Sequence, residues 1–220
     1  MEIDKTLISQ SPRMIDTKTI KIFEAISNGD KTTLESMITN QDFPFWTVQD
    51  SDGFTCLVKS AFLNQTEMSL LLIETAKKSQ DIINDISILH SWINKKAENG
   101  FNALHYTAFR GNVKILEKLI ENGADITIKN NNGLSVIHMA AQGDKPNVLV
   151  YFKEKHGLSM DCLDAVNSTP LHWCSYMGSE NSLDYLLSWG ANLNSKDKDG
   201  FTPLHLAVIT GENIRKYLLI

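Results

Sequence analysis

His172, Trp173 and Cys174 stand side by side in the stretch NSTPLHWCSYMG, Asn167 to Gly178. A histidine close to a thiol is the pairing of a cysteine nucleophile with its general base, and both residue types also ligate zinc. Further histidines at 105, 138 and 205 raise the question of a metal cluster. Geometry argues against both chemistries. Residues two apart on a helix face different ways, and nothing basic beside Cys174 would stabilise a thiolate. Zinc needs all its ligands at about 2 Å, whereas packed helices lie roughly 8–10 Å apart. The three cysteines, Cys56, Cys162 and Cys174, form no CxxC pair, so neither a zinc site nor a disulfide framework is indicated. No catalytic residue, metal site or cofactor is expected.

Composition narrows the partners. The chain has 220 residues, 42% hydrophobic and 21% charged, with a formal net charge of -5. Such a chain suits a soluble protein with a real core. Its mild acidity and lack of a Lys/Arg run make nucleic acid and anionic lipid poor partners. The polar N-terminus lacks the apolar core of a signal peptide. The longest aliphatic run, Leu70 to Ile73, is far too short to span a bilayer. A cytosolic, reduced setting without membrane insertion is expected.

The elements that carry these histidines repeat. His105, His138, His172 and His205 are spaced 33, 34 and 33 residues apart, in NGFNALHYTAFRGN, NGLSVIHMAAQGDK, VNSTPLHWCSYMGS and DGFTPLHLAVITGE. Matched stretches follow the first three at Asn122, His156 and Trp189. In the last copy Asp197 to Gly200 is a turn, Thr202 an N-cap and Pro203 a first helical residue. Leu204, Ala207 and Val208 are expected to line one face, Gly211 to break the chain, and NIRKYLLI to begin a second helix. Each unit is thus a turn plus two short antiparallel helices, which must stack on neighbours to bury its apolar faces.

This period and signature resemble the ankyrin repeat, from about Thr17 to the last residue. An all-α ankyrin solenoid of about six repeats is expected, over 17–49, 50–96, 97–129, 130–163, 164–196 and an incomplete 197–220. Residues 1–16 are expected to form a loosely ordered tail. Gly53 and Gly100 stand 47 residues apart, fourteen more than one period. An insertion therefore falls after the second repeat, and Thr75 to Trp92 is expected to lengthen its second helix and loop. The chain stops within an apolar helical pattern, which suggests a fragment of a longer polypeptide. The histidines are expected to bond the turn and the next repeat, and Cys174 to fill the small slot held by Ala108, Ala140 and Ala207.

Partner-binding residues follow from the groove of such a stack. Four positions after each histidine slot lie Phe62, Phe109, Gln142, Tyr176 and Ile209, at the end of the inner helix on the concave side. The turn tips add Phe54, Phe101, Leu134 and Phe201. Exposed apolar rows of this kind mark partner binding, although tip rings can also simply cover the turn. Trp173, whose counterparts are Tyr106, Met139 and Leu206, is either an inter-repeat packing residue or the wall of a recognition pocket.

The string NSTPLHW resembles the ankyrin regions of the DHHC-type palmitoyltransferases (protein S-acyltransferases). The resemblance implies a cytosolic, substrate-recruiting domain of an endomembrane enzyme, with a recognition tryptophan at Trp173. It also implies a pocket asparagine five residues after the preceding histidine, where this chain has Gly143, beside Gln142, in a repeat carrying one extra residue. No Asp-His-His-Cys string occurs here, so transferase chemistry cannot reside in these residues. The alternative is a free-standing ankyrin scaffold with no enzymatic parent. In either case the expected ligand is a protein or extended peptide lying against Trp173, Tyr176 and Gln142.

Overall fold

A computed structural model describes residues 16–39 and 43–211. Within them thirteen helices follow one another: α1 (Thr17–Asn28), α2 (Lys31–Ile38), α3 (Cys56–Phe62), α4 (Thr66–Lys77), α5 (Gln80–Asn84), α6 (Ile86–Ile93), α7 (Ala103–Arg110), α8 (Val113–Glu121), α9 (Val136–Gln142), α10 (Pro146–His156), α11 (Pro170–Met177), α12 (Glu180–Ser188) and α13 (Pro203–Thr210). The inner row α1, α3, α7, α9, α11, α13 packs each helix on the next, and α2, α4, α8, α10, α12 form the outer row. The core runs between the rows, through Leu57, Leu104, Ile137 and Leu171 of the inner helices and Leu72, Leu116, Leu149 and Leu183 of the outer ones. Residues 1–15 and 212–220 lie outside the described residues, and with them the expected tail and the expected helix of NIRKYLLI. Asp16 itself is the N-cap of α1, its carboxylate accepting from Thr19 N–H at 2.8 Å.

Four of the six inner helices start on the same device. Asn102, Ser135, Thr169 and Thr202 cap α7, α9, α11 and α13, and the histidine three residues on returns Nδ1 to the cap's backbone N–H. The far nitrogen, Nε2, then donates to a carbonyl of the next repeat. His105 reaches Leu134 O, His138 reaches Ser168 O and His172 reaches Phe201 O, each at 3.1 Å. These bonds tie the start of one inner helix to the turn of its neighbour, as expected. In the second repeat Val58 takes the slot, and only the Thr55 hydroxyl caps, accepting from Val58 N–H.

The turns carry the second tie. Asn130 N–H donates to Leu134 O at 3.0 Å, and Asp197 N–H to Phe201 O at 3.0 Å, closing each tip. Successive tips are linked by Ala165 N–H to Asn132 O and by Lys198 N–H to Val166 O, both at 2.9 Å. Gly133 sits at φ 75° with Ala165 N 2.6 Å from where a Cβ would lie, so both conformation and space require glycine. In the fifth repeat Asn167 takes the same left-handed position, φ 60°, which asparagine tolerates.

Three expectations change. The insertion does not mainly lengthen the second helix: α4 ends at Lys77, and two new helices, α5 and α6, follow it. Asp85 caps α6 by accepting from Ser87 N–H at 2.9 Å, and Asn94 just after it bonds Gly123 O at 2.8 Å and Asp125 N–H at 2.8 Å. The insertion therefore docks on the third repeat. Val208 is exposed, not on the buried face with Ala207, because α13 turns only one side to α11. Of the turn-tip residues, Phe54 and Leu134 are buried and Phe101 half-buried, so these cover the turns; Phe201 remains exposed at 38%.

Burial gives the histidine ties a pH dependence. Desolvation pulls the His105 imidazole down from 6.5 to about 4 and lowers His138 as well. Between those values the unfolded chain binds more protons than the folded one, so stability rises with pH there. It is complete above about 6.5 and lost as pH falls through 4. From His105 alone about 2 kcal/mol is expected to disappear between pH 7 and pH 5. Urea midpoints that stay constant across that interval would show that the imidazoles are not held neutral.

Candidate functional site

The residues that first suggested chemistry are structural. Cys174 is fully buried, and its thiol lies 3.7 Å from Ala141 O, in the alanine slot. Burial raises its pKa well above that of a free thiol, helped by the charge of Asp144. Burial raises the Cys56 and Cys162 thiols too. His172 commits Nδ1 to Thr169 and Nε2 to Phe201. Among the described residues no three His, Cys, Asp or Glu side chains converge to hold a metal ion.

The predicted groove residues fall into three places. Trp173 and Tyr176 meet edge to face at 6.1 Å on α11. Together they line a cleft of about 260 Å³ with Val166, Asp197 and Leu206. Trp173 is half-buried, and its indole N–H donates to Asp164 Oδ2 at 3.0 Å. Asp164 is buried and its other oxygen accepts from Val166 and Ser168 N–H at 2.9 and 2.8 Å, so the ring is held by its own repeat's turn. Tyr176 is 51% exposed, and Ile209, one repeat on, is 64% exposed.

Gln142 and Gly143 are not among the residues lining that cleft, which opens toward the sixth repeat rather than the fourth. Gly143 is the C-cap of α9 at φ -79°, and a Cβ there would overlap the carbonyl oxygen of Phe109. The extra residue of GDKPN explains this. The left-handed turn taken by Gly111 and Gly178 after their helices passes here to Asp144, φ 51°, so Gly143 is drawn back against α7. Asp144 then caps α12 of the following repeat, accepting from Ser182 N–H and Asn181 Nδ2, both at 2.7 Å.

Phe62 and Phe109 are half-buried under one cation. Arg110 donates from Nε to Phe62 O at 3.0 Å, and its guanidinium lies 5.7 Å from the Phe62 ring and 5.9 Å from the Phe109 ring. Phe62 also stacks edge to face on Tyr106 at 5.2 Å and on Phe54 at 5.7 Å. The row is therefore uneven: Phe62 and Phe109 are half-buried under Arg110, and Tyr176 and Ile209 are exposed. Asp197 and Val166 were missed in the sequence because they come from turns, whose side chains carry no helical period.

A comparison with family models finds ankyrin repeats, in three overlapping matches over residues 22–130, 104–197 and 137–220. The chain belongs to the ankyrin-repeat family. Among curated proteins its ankyrin stack is similar to that of palmitoyltransferase AKR1 of Lachancea kluyveri, 30% identical over 149 residues, which is 63% of this chain and 20% of that protein. It is 28% identical over 109 residues to palmitoyltransferase Hip14 of Drosophila melanogaster, covering 49% of this chain and 17% of that protein. It is also 25% identical over 222 residues to the NAD-dependent deacetylase sir2B of Dictyostelium discoideum, covering 88% of this chain and 28% of that protein. The chain thus spans about a fifth of the length of the palmitoyltransferases it matches. Ankyrin repeats are a protein-interaction module, and no helix among the described residues is long and apolar enough to cross a membrane.

Proposed function

We propose that this ankyrin stack binds an extended partner peptide on its concave side, anchored in the cleft between Trp173, Tyr176 and Leu206, and that it recruits substrates for a palmitoyltransferase. The observation that carries the binding reading is the half-buried, hydrogen-bonded indole that walls the cleft. Asp164 fixes the Trp173 ring, which walls a cleft whose other apolar walls are Tyr176, Leu206 and Val166. Such a ring loses little entropy when a ligand packs on it. An apolar peptide side chain fits these walls. Asp197 turns one carboxylate oxygen to the N–H groups of Asp199 and Phe201 and has a second to accept a donor from the peptide. The similarity to palmitoyltransferase ankyrin regions supports the recruiting role. Similarity to a deacetylase over more of the chain supports a second reading, a partner-binding stack whose parent is not a palmitoyltransferase.

Peptides selected from a random displayed library on the wild-type chain test the cleft. Trp173→Ala is expected to weaken those peptides by about 1–3 kcal/mol, roughly five- to 150-fold, with far-UV dichroism and cooperative unfolding retained. Unchanged affinity removes the cleft from recognition. Loss of cooperative unfolding instead assigns Trp173 to the core. For the parent, an Asp-His-His-Cys motif between transmembrane segments in the same polypeptide supports recruitment, and a polypeptide without one overturns it.

A further inference from the structure

Three of the turn tips begin with an aspartate, Asp50, Asp164 and Asp197. Each turns Oδ1 to the N–H groups two and four residues on, at 2.8 to 3.0 Å. Those two bonds orient the carboxylate, so Oδ2 faces the residue nine positions along, on the inner helix. Asp164 Oδ2 accepts from the Trp173 indole at 3.0 Å, and Asp50 Oδ2 lies 3.5 Å from the Lys59 ammonium. In the sixth repeat the ninth residue is Leu206, whose side chain has no donor. Asp197 Oδ2 accordingly has no hydrogen bond or ion pair among the described residues.

Asp197 and Leu206 both line the Trp173 cleft, and no lysine or arginine does. Lys196 and Lys198, on either side of Asp197, are exposed outside it. Asp164, behind the indole, accepts from neutral donors only. The cleft therefore carries negative charge without a counter-cation. The second repeat shows which group matches such a tip. The Lys59 ammonium that pairs with Asp50 also lies 5.6 Å from the centre of the Phe54 ring. The sixth repeat repeats the aspartate and the phenylalanine, Asp197 and an exposed Phe201, without the lysine. A neutral donor would satisfy the oxygen and leave the charge. A cation does both, through a bond about twice as strong, and is attracted to the ring face as well.

We propose that the cleft selects peptides carrying a lysine or arginine beside the apolar residue held by Trp173, Tyr176 and Leu206, and that Asp197 sets this preference. The preference rests on the cleft being the peptide site, and adds to it the charge of the ligand.

Random displayed peptides selected in parallel on the wild-type chain and on Asp197→Asn test it. The variant keeps the tip, since Asn130 makes the same two Oδ1 bonds in the fourth repeat. Wild-type selection is expected to enrich Lys or Arg beside an apolar residue well above the library frequency, and Asp197→Asn to lose that excess. In a synthetic selected peptide, norleucine in place of the lysine is expected to bind the wild type roughly tenfold more weakly and Asp197→Asn no more weakly. Asp199→Asn is the control for general attraction of cations to an acidic chain. Its side chain is exposed and outside the cleft, and no effect is expected. Peptides that depend on Trp173 but show no basic excess, or that bind Asp197→Asn equally well, overturn the preference and leave the cleft in place. An equal loss with Asp199→Asn overturns it too. A selection that yields no peptide weakened by Trp173→Ala removes the cleft itself, and the preference with it.

Discussion

His105→Ala is expected to destabilise the stack by about 3–5 kcal/mol, read as a lower urea midpoint at unchanged cooperativity. The imidazole is completely buried between two repeats. Its loss strands the Asn102 backbone N–H, which Nδ1 accepts, and the Leu134 carbonyl, to which Nε2 donates. Each buried group left unpaired costs about 1–3 kcal/mol, and the emptied ring volume adds to that. His205 makes the matching control. It closes the same cap with Thr202, but it is exposed, and its Nε2 has no acceptor among the described residues. His205→Ala is therefore expected to cost no more than about 1 kcal/mol, the worth of a cap. Equal losses in the two variants would show that the histidine acts only within its own helix, and that the tie to the next repeat is energetically idle.

Gly143→Asn is the second large effect, expected to cost about 3 kcal/mol, with Gly143→Ala close behind. At φ -79° the backbone suits any residue, so the penalty is purely one of space. The added Cβ meets the carbonyl oxygen of Phe109, a backbone atom at the end of α7 that cannot swing aside. Separating α7 from α9 would relieve the overlap only by opening a tightly packed inner row. The resemblance to palmitoyltransferases places a pocket asparagine at this position, and the register of this stack does not admit one. A Gly143→Ala protein with the wild-type midpoint would show that α7 and α9 have room to part. If the peptides selected on the wild type bind a folded Gly143→Asn protein more tightly, the asparagine position belongs to the groove after all.

The legible part of the fold was local. A cap residue three before a histidine, a left-handed glycine at the turn and a small residue in the helix recur with the period of one repeat. Each acts within a few residues of itself, so the pattern reads directly as helix starts, turns and inner faces. The histidine's second bond was legible too, since a buried imidazole with one nitrogen used must place the other. The insertion was not. Free of glycine and proline, SQDIINDISILHSW continues a helical pattern, and only Ser79 and Asp85 mark its restarts.

Sequence alone determined that this chain is an ankyrin stack, that its histidines start the inner helices and tie them to the next repeat, and that Cys174 fills an alanine slot. Tertiary structure alone decided which rings are open. Phe62, Phe109 and Tyr176 hold the same slot, yet Arg110 and Tyr106 cover the first and Arg110 the second, while Tyr176 stays exposed. For Phe62 the covering side chains come from the next repeat, 44 and 48 residues away, and no periodicity within one repeat encodes them.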